Sequence, residues 1–320
     1  MSFSRDNSPN PHNMFRRVVM NRFIIDGFNL MYRSHHAFQR LSTSTDLSSG
    51  SIYGFLTTMR TLRKRFTDFN FFIAWDNIPT KKTNIFPEYK ANRISQRNIF
   101  PLEDLKKALS CLNVTQVECP EEEADDVIST LINQPNDSGK DYIYTSDKDM
   151  LQLVQDGRVI VMSPKVGNTP EKFYDEEAVK AKWGVSPSDL SCYLALRGDV
   201  SDNVPGVERL PSKVIASLIN KYKTPEGIYS GLANEKLTDF QRTKLAAARD
   251  QVLLNYTLVL LKPDLNCSFS FGKSNSEIFQ YILDKYEIKA ISSESYVDLF
   301  DSDTVFLHRN SPSLKSVSLF

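Results

Sequence analysis

The sequence predicts an α/β fold with a largely parallel sheet, followed by a helical region. Three observations predict it. Short apolar runs suited to buried strands recur along the first half of the chain, and several end directly in an acidic residue. The segments between them carry apolar residues at helical spacing, and strand alternating with helix is the pattern of a parallel sheet. From about 175 to 262 the chain reads as helices joined by short turns.

Phe23-Ile24-Ile25 closes on Asp26-Gly27, a buried strand that delivers a carboxylate. Residues 50–66 place Ile52, Phe55, Leu56, Met59 and Leu62 at helical spacing and have a basic end. FNFFIAW at 69–75 is a second buried strand, and Asp76 follows at once. Pro101 with Glu103 and Asp104 in the first turn opens a helix over 101–112. A short strand, VTQVE at 114–118, leads to Pro120 and a helix over 121–133. YIYTSD at 142–147 is a third strand ending in acid, and RVIVMS at 158–163 another, before a loop of Gly, Asn and Pro. Residues 240–261 are strongly amphipathic. Beyond Pro263 the pattern weakens to one helix, FQYILDKY, and the Ser- and Asp-rich last 29 residues read as partly disordered. The division expected is an extension at 1–20, an α/β core at 21–174 with a basic projection at about 78–107, a helical region at 175–262 and a C-terminal segment at 263–320.

Composition narrows the function. The chain has 320 residues, enough for one large or two modest domains with a substantial core. No apolar run approaches the ~18 residues of a membrane span. With 39 basic and 39 acidic residues there is no global field to advertise nucleic acid, so the local distribution decides. Cys111, Cys119, Cys192 and Cys267 form no CxxC pair and read as thiols in a reducing compartment. None of the four histidines stands at zinc-ligand spacing to a cysteine. The first 20 residues lack a secretory apolar core, and Asp6, Pro9 and Pro11 oppose an amphipathic transit helix. They read as a disordered extension of a cytoplasmic chain.

The acidic residues carry the chemistry. Asp26, Asp76, Asp147 and Asp149 stand at strand ends, and in an open parallel sheet those ends share the edge where ligands bind. Glu123, Asp125 and Asp126 begin a helix expected above the same edge, and Asp199 and Asp202 lie in the turn GDVSDN. Any one of them would pass as a helix cap or turn former. Caps do not explain why acids close three successive apolar strands. Converging carboxylates need a cation to remain ionised. Oxygen donors without nitrogen or sulfur favour Mg²⁺ or Mn²⁺, and two such ions suit phosphodiester hydrolysis. One condition applies: residues 123 and 125 point about 200° apart on an ideal helix, so both serve only if Glu123 precedes the first regular turn.

A basic stretch follows Asp76. Residues 81–107 carry Lys81, Lys82, Lys90, Arg93, Arg97, Lys106 and Lys107 against Glu88, Glu103 and Asp104, with Phe86, Tyr89 and Phe100 interleaved. Basic residues with stacking rings beside an acidic site suit single-stranded nucleic acid.

These motifs together resemble the 5′ nuclease family, the 5′→3′ exonuclease domain of bacterial DNA polymerase I and the phage and cellular flap endonucleases. The matching strings are IIDGFNLMYRSHHA, SGSIYGFL, FPEYKANR, EEADDVISTL, YTSDKDMLQLV, WGVSPSDLSCYLALRGDVSDNVPGV and QVLLNYTLVLL, in family order from about 22 to 262. The resemblance implies a PIN-like nuclease core with a helical arch and a helix–three-turn–helix region that binds duplex DNA. It implies that Asp26, Asp76, Glu123 and Asp125 hold one metal ion and Asp125, Asp147, Asp149 and Asp202 a second, with Asp126 and Asp199 acting through waters. Lys90 and Arg93, at the base of the arch, would contact the scissile phosphate. Tyr32, Arg33, Tyr89, Arg97, Arg209 and Lys213 are the other expected DNA contacts, with Tyr32 equally readable as a stacking residue or as core. The implied substrate is DNA with a 5′ single-stranded end or flap, including an RNA–DNA primer, cut by a stand-alone monomer. The rival readings are a catalytically weak branched-DNA-binding protein and a PIN-like ribonuclease.

One departure stands out. The family follows GDxSDNxPGV with a glycine-rich turn that holds K⁺ and a duplex phosphate, whereas here Arg209, Leu210 and Pro211 replace Gly, Ile and Gly. Pro211 has no N–H to donate, and Arg209 is expected to resist the positive φ that glycine allows. Both argue against the K⁺ site.

Overall fold

The computed structural model describes residues 21–91, 100–136 and 139–301. Five parallel strands, β1 (Asn21–Asp26), β2 (Phe69–Trp75), β3 (Thr115–Glu118), β4 (Asp141–Tyr144) and β5 (Val159–Ser163), form the centre of a seven-stranded sheet. Two antiparallel strands close its edges, β6 (Lys172–Tyr174) on β5 and β7 (Ser268–Phe271) on β3, in the order β6-β5-β4-β1-β2-β3-β7. The central strands are continuous apolar runs because both faces are covered. Phe23, Ile25, Phe71 and Ile73 face one layer while Ile24, Phe72 and Ala74 face the other.

The first layer contains α1 (Gly27–Ala37), α2 (Gly50–Arg65) and α4 (Leu102–Ser110). The second begins with α5 (Ala124–Asn133) and continues into the helical region, from α6 (Glu176–Trp183), α7 (Leu190–Arg197) and α8 (Ser212–Tyr222) to α9 (Pro225–Gly231). α3 (Thr80–Ile85) precedes the basic stretch. Residues 92–99, the crown of the expected arch, lie outside the described residues, as do residues 1–20 of the expected extension.

The amphipathic stretch 240–261 forms two helices, α10 (Asp239–Ala247) and α11 (Arg249–Val259), broken at Ala248 with φ −92° and ψ 5°. The pieces are anchored differently. Arg242 of α10 donates to the backbone oxygens of Leu232 and Glu235, whereas buried Asn255 of α11 donates to those of Ala195 and Pro205. The segment beyond Pro263 does not trail off. It supplies β7, α12 (Ser276–Lys285) and α13 (Ser293–Asp301), and both helices pack in the same layer as α1 and α2. Tyr296, Val297 and Phe300 give α13 a buried face that its Ser and Asp residues mask in the composition, and the Tyr296 hydroxyl donates to Leu56 O at 2.6 Å. Residues 302–320 lie outside the described residues.

Candidate active site

The sheet register brings the acids together. Asp26 closes β1, Asp76 follows β2 and Asp147 stands three residues beyond β4; all three strands are parallel, so their C-terminal ends share one edge. Gly27 lets α1 start directly against β2, since a Cβ there would lie 2.5 Å from Trp75 Cε3. Asp26 Oδ1 accepts from Asn29 N at 3.0 Å, and Oδ2 from the Thr145 hydroxyl at 3.0 Å. Asp76 Oδ1 accepts from Ala124 N at 2.8 Å and so ties β2 to the start of α5. Asp147 Oδ1 accepts from Asp149 N at 2.9 Å. Capping and clustering are therefore served by the same side chains.

The condition on Glu123 is met. It is the extended N-cap residue of α5, with φ −89° and ψ 158°, and Asp125 lies in the first turn. GDVSDN is folded back on itself by paired bonds between Asp199 and Val204, each 2.8 Å, and α11 holds it in place through Asn255. A Cβ on Gly206 would lie 2.0 Å from Arg197 O, which explains the glycine there. The turn presents Asp199 and Asp202 to Asp149, and one carboxylate oxygen from each lies within 4.8 Å of the others. Among the described residues, Asp149 Oδ1 is buried without a hydrogen-bond partner. Oxygen donors alone, one of them buried and unsatisfied, fit a hard divalent cation.

Among the described residues, three lysines supply positive charge within the cluster. Lys82 lies 2.8 Å from Glu123 Oε2 and 3.0 Å from Asp126 Oδ2. Lys90 pairs with Glu123 Oε1 and lies 3.6 Å from Asp202 Oδ2. Lys148 lies 2.5 Å from Asp199 Oδ2. Sequence reasoning missed Lys82, Lys148 and Asn255 as parts of the site. Lys148 sits inside TSDKD and Asn255 inside QVLLNYTLVLL, so the motifs themselves carried the signal for those two.

Burial and Asp76 push the Asp26 carboxyl up to about 7, and burial and Asp147 push Asp149 up to about 8. Burial and Asp147 also hold Asp125 well above the usual carboxylate range. Glu123 goes the other way: burial opposes its charge, but Lys90 and Lys82 outweigh it and hold the group down at about 2. A carboxyl raised by folding binds its proton more tightly in the native state. For Asp26 and Asp149 that contribution to metal-free stability is complete below the usual Asp value of about 4 and is lost as pH rises through about 7 and 8. The Glu123 contribution is lost only as pH falls towards 2. Divalent cations should take over where protons leave. The rise in Tm on adding Mg²⁺ is therefore expected to be larger at about pH 8.5 than at about pH 5.5, and equal shifts in a thermal melt would contradict this.

The remaining expected site residues fall into place unevenly. Asp126 is buried, accepts from Lys262 N at 3.0 Å and pairs with Lys82, so it supports Lys82 instead of joining the group around Asp149. Tyr89, expected on DNA, is corrected: its ring is buried and its hydroxyl donates to Glu123 Oε2 at 2.9 Å. Tyr32 is 45% exposed with its ring 4.3 Å from that of His36, which removes the core reading. Arg33 donates to Lys165 O at 2.9 Å. Arg93 and Arg97 lie outside the described residues. Arg209 corrects another expectation, for it does take a positive φ, 55°, with a side chain 77% exposed beside Glu208. Pro211 is the N-cap residue of α8, and Lys213 is exposed in that helix's first turn. No helix among the described residues is long and apolar enough to cross a membrane.

Comparison with known proteins places the chain among sequence relatives and fold neighbours. Residues 21–184 match the family model "5′-3′ exonuclease, N-terminal resolvase-like domain", and residues 185–280 match "5′-3′ exonuclease, C-terminal SAM fold". The chain is 33% identical over 296 residues to a 5′-3′ exonuclease of Aquifex aeolicus, covering 91% of this chain and 98% of that one. It is 32% identical over 283 residues to DNA polymerase I of Caldicellulosiruptor bescii, covering 85% of this chain but only 33% of the polymerase. Among solved structures, a T5 5′-exonuclease with bound divalent zinc ions superposes with a TM-score of 0.59 at 21% identity, over 88% of this chain and 96% of that one.

Proposed function

The chain belongs to the 5′-3′ exonuclease family, and from that premise we propose that it hydrolyses DNA phosphodiesters near 5′ single-stranded ends and flaps, with Mg²⁺ or Mn²⁺ held by the carboxylate cluster. One observation carries the reading: Asp149, Asp199 and Asp202 converge beside the parallel strand ends with a buried, unsatisfied oxygen on Asp149. Asp26, Asp76, Asp125, Asp147 and Glu123 would complete the ligand set, and Asp199 and Asp126 would position it. Divalent cations there would supply a more acidic water and neutralise charge on the phosphate.

The protein's own groups do the rest. Lys90 lies beside Glu123 and Asp202, its backbone N–H bonded to Asp202 O at 2.9 Å, while Asn203 Nδ2 donates to Glu88 O at 2.8 Å. These two bonds join the base of the basic stretch to the turn carrying Asp202, so an arriving phosphate would meet Lys90 and the acids as one unit. Arg93 is assigned to the same phosphate. Tyr32, Arg33 and Arg97 would meet the single strand. Arg209 and Lys213 would meet duplex phosphates through their side chains. Pro211 still offers no N–H, so K⁺ is not assigned to this turn.

The test compares an end-labelled 5′-flap DNA, single-stranded DNA and single-stranded RNA, with Mg²⁺ and with chelator. Flap cleavage that requires the metal and leaves a 5′-phosphate is expected. Tight flap binding without cleavage, or preferential cutting of RNA, would replace this reading with one of its rivals.

A further inference from the structure

Among the described residues, Glu123 is held by three donors that differ in access. Lys82 and the Tyr89 hydroxyl both bind Oε2, at 2.8 and 2.9 Å, while Lys90 alone among the described residues binds Oε1. Lys82 is closed off from solvent together with its partners. Its side chain is 6% exposed, that of Glu123 5% and that of Asp126 0%. Lys90 is the more open of the two lysines, at 15%. The helix that carries Lys82 is also tied down next door. Lys81 lies 2.7 Å from Glu122 Oε1, and Lys262 pairs with the other oxygen of Glu122. Two consecutive lysines of α3 thus grip two consecutive glutamates before α5.

We infer that Lys82 is a positioning residue for the metal site: it fixes Oε2 of Glu123 inward, so that Oε1, the oxygen Lys90 covers, is the one presented to a divalent cation. The inference rests on the reading of Glu123 as a metal ligand. Two effects of Lys82 compete. Its charge repels a nearby cation, and on that ground alone its removal would tighten metal binding. Yet Lys82 neutralises one of two carboxylates in a closed pocket. Without it, Oε2 of Glu123 would keep the Tyr89 hydroxyl but lose the buried ion pair that fixes it inward. A reoriented Glu123 is a poor ligand, so the loss of position is expected to win.

Binding of Mn²⁺ without DNA, followed by calorimetry on the full chain, reads this directly. Lys82→Met is expected to weaken Mn²⁺ binding by about tenfold or more, the usual scale for removing a group that orients a metal ligand. Lys82→Arg, which keeps the charge and the donors, should bind close to wild type, and Tyr89→Phe, which removes one donor to the same oxygen, should weaken binding, by less than Lys82→Met. Unchanged or tighter Mn²⁺ binding by Lys82→Met overturns the inference. Should that variant not fold in a thermal melt, unchanged binding by Tyr89→Phe overturns it instead. The readout uses no substrate. A wild type that binds Mn²⁺ but cuts no DNA would sink the proposed function and leave Lys82 in place. A wild type that cuts DNA while Lys82→Met binds Mn²⁺ normally would sink the inference alone.

Discussion

Asp149→Asn and Asp202→Asn are each expected to lower flap cleavage by about a thousandfold or more at saturating Mg²⁺, a loss of ~4 kcal/mol of transition-state stabilisation. The substitution keeps size and shape but replaces one oxygen by an NH₂ that cannot ligate a cation. Both side chains are buried within the oxygen cluster they share with Asp199, so solvent offers no ready substitute for either. Stability should behave differently. In metal-free buffer near neutral pH the Asp149 carboxyl, pushed up to about 8, is largely protonated already. Asn resembles that neutral acid, so the Tm of Asp149→Asn should match wild type at about pH 7 and exceed it at about pH 9, where the wild-type group is forced to ionise against Asp147, Asp202 and Asp199. Mg²⁺ should also raise the Tm of the variant less than that of wild type. Single-turnover cleavage and thermal melts with and without chelator check both halves. Turnover within about tenfold of wild type would remove the residue from the ligand set.

The parts of this site that were legible in the sequence are those fixed by local rules. β1 and β2 read as strands because a parallel strand covered on both faces must be apolar throughout, and Asp26 and Asp76 were visible because nothing in such a run requires an acid at its end. The edge strands were not legible. KFY and SFSF are short and largely exposed, and what makes them strands is the register β5 and β3 offer them. The basic stretch was legible as charge, not as geometry. Lys82 and Tyr89 turn inward because α3 is docked on the start of α5, and no spacing within 81–107 distinguishes them from their exposed neighbours Lys81 and Glu88. Arg209 shows the limit of a conformational preference. A residue other than glycine at φ 55° carries a modest cost, and the turn between Val207 and α8 imposes it. Asp126 followed its motif into the site but turned towards Lys82, a choice between two nearby charges that only the packed structure decides.

Lys90→Ala is expected to lower the single-turnover rate about a hundredfold at saturating Mg²⁺, the ~3 kcal/mol typical of one well-placed electrostatic contact to a reacting centre. DNA affinity measured without divalent ions should change little, because Lys90 is turned into the carboxylate cluster, where it pairs with Glu123 and approaches Asp202. Burial opposes the charge of Lys90, but Glu123, Tyr89 and Asp202 outweigh it and hold the ammonium well above its ordinary range, so it remains charged at any working pH. That placement predicts a second, opposite effect. In the absence of metal Lys90 occupies the very oxygens assigned to a cation. Removing it should lower the Mg²⁺ concentration needed for half-maximal rate even as the maximal rate falls. Lys82→Met should move the metal requirement upward, although both lysines bind the same glutamate. A docking role for Lys90 would show as a raised dissociation constant with an unchanged single-turnover rate. A purely structural role would lower the metal-free Tm and leave the half-activating Mg²⁺ where it was. The combination of slower chemistry with easier metal saturation is specific to a lysine that yields its carboxylates to the metal and then meets the phosphate.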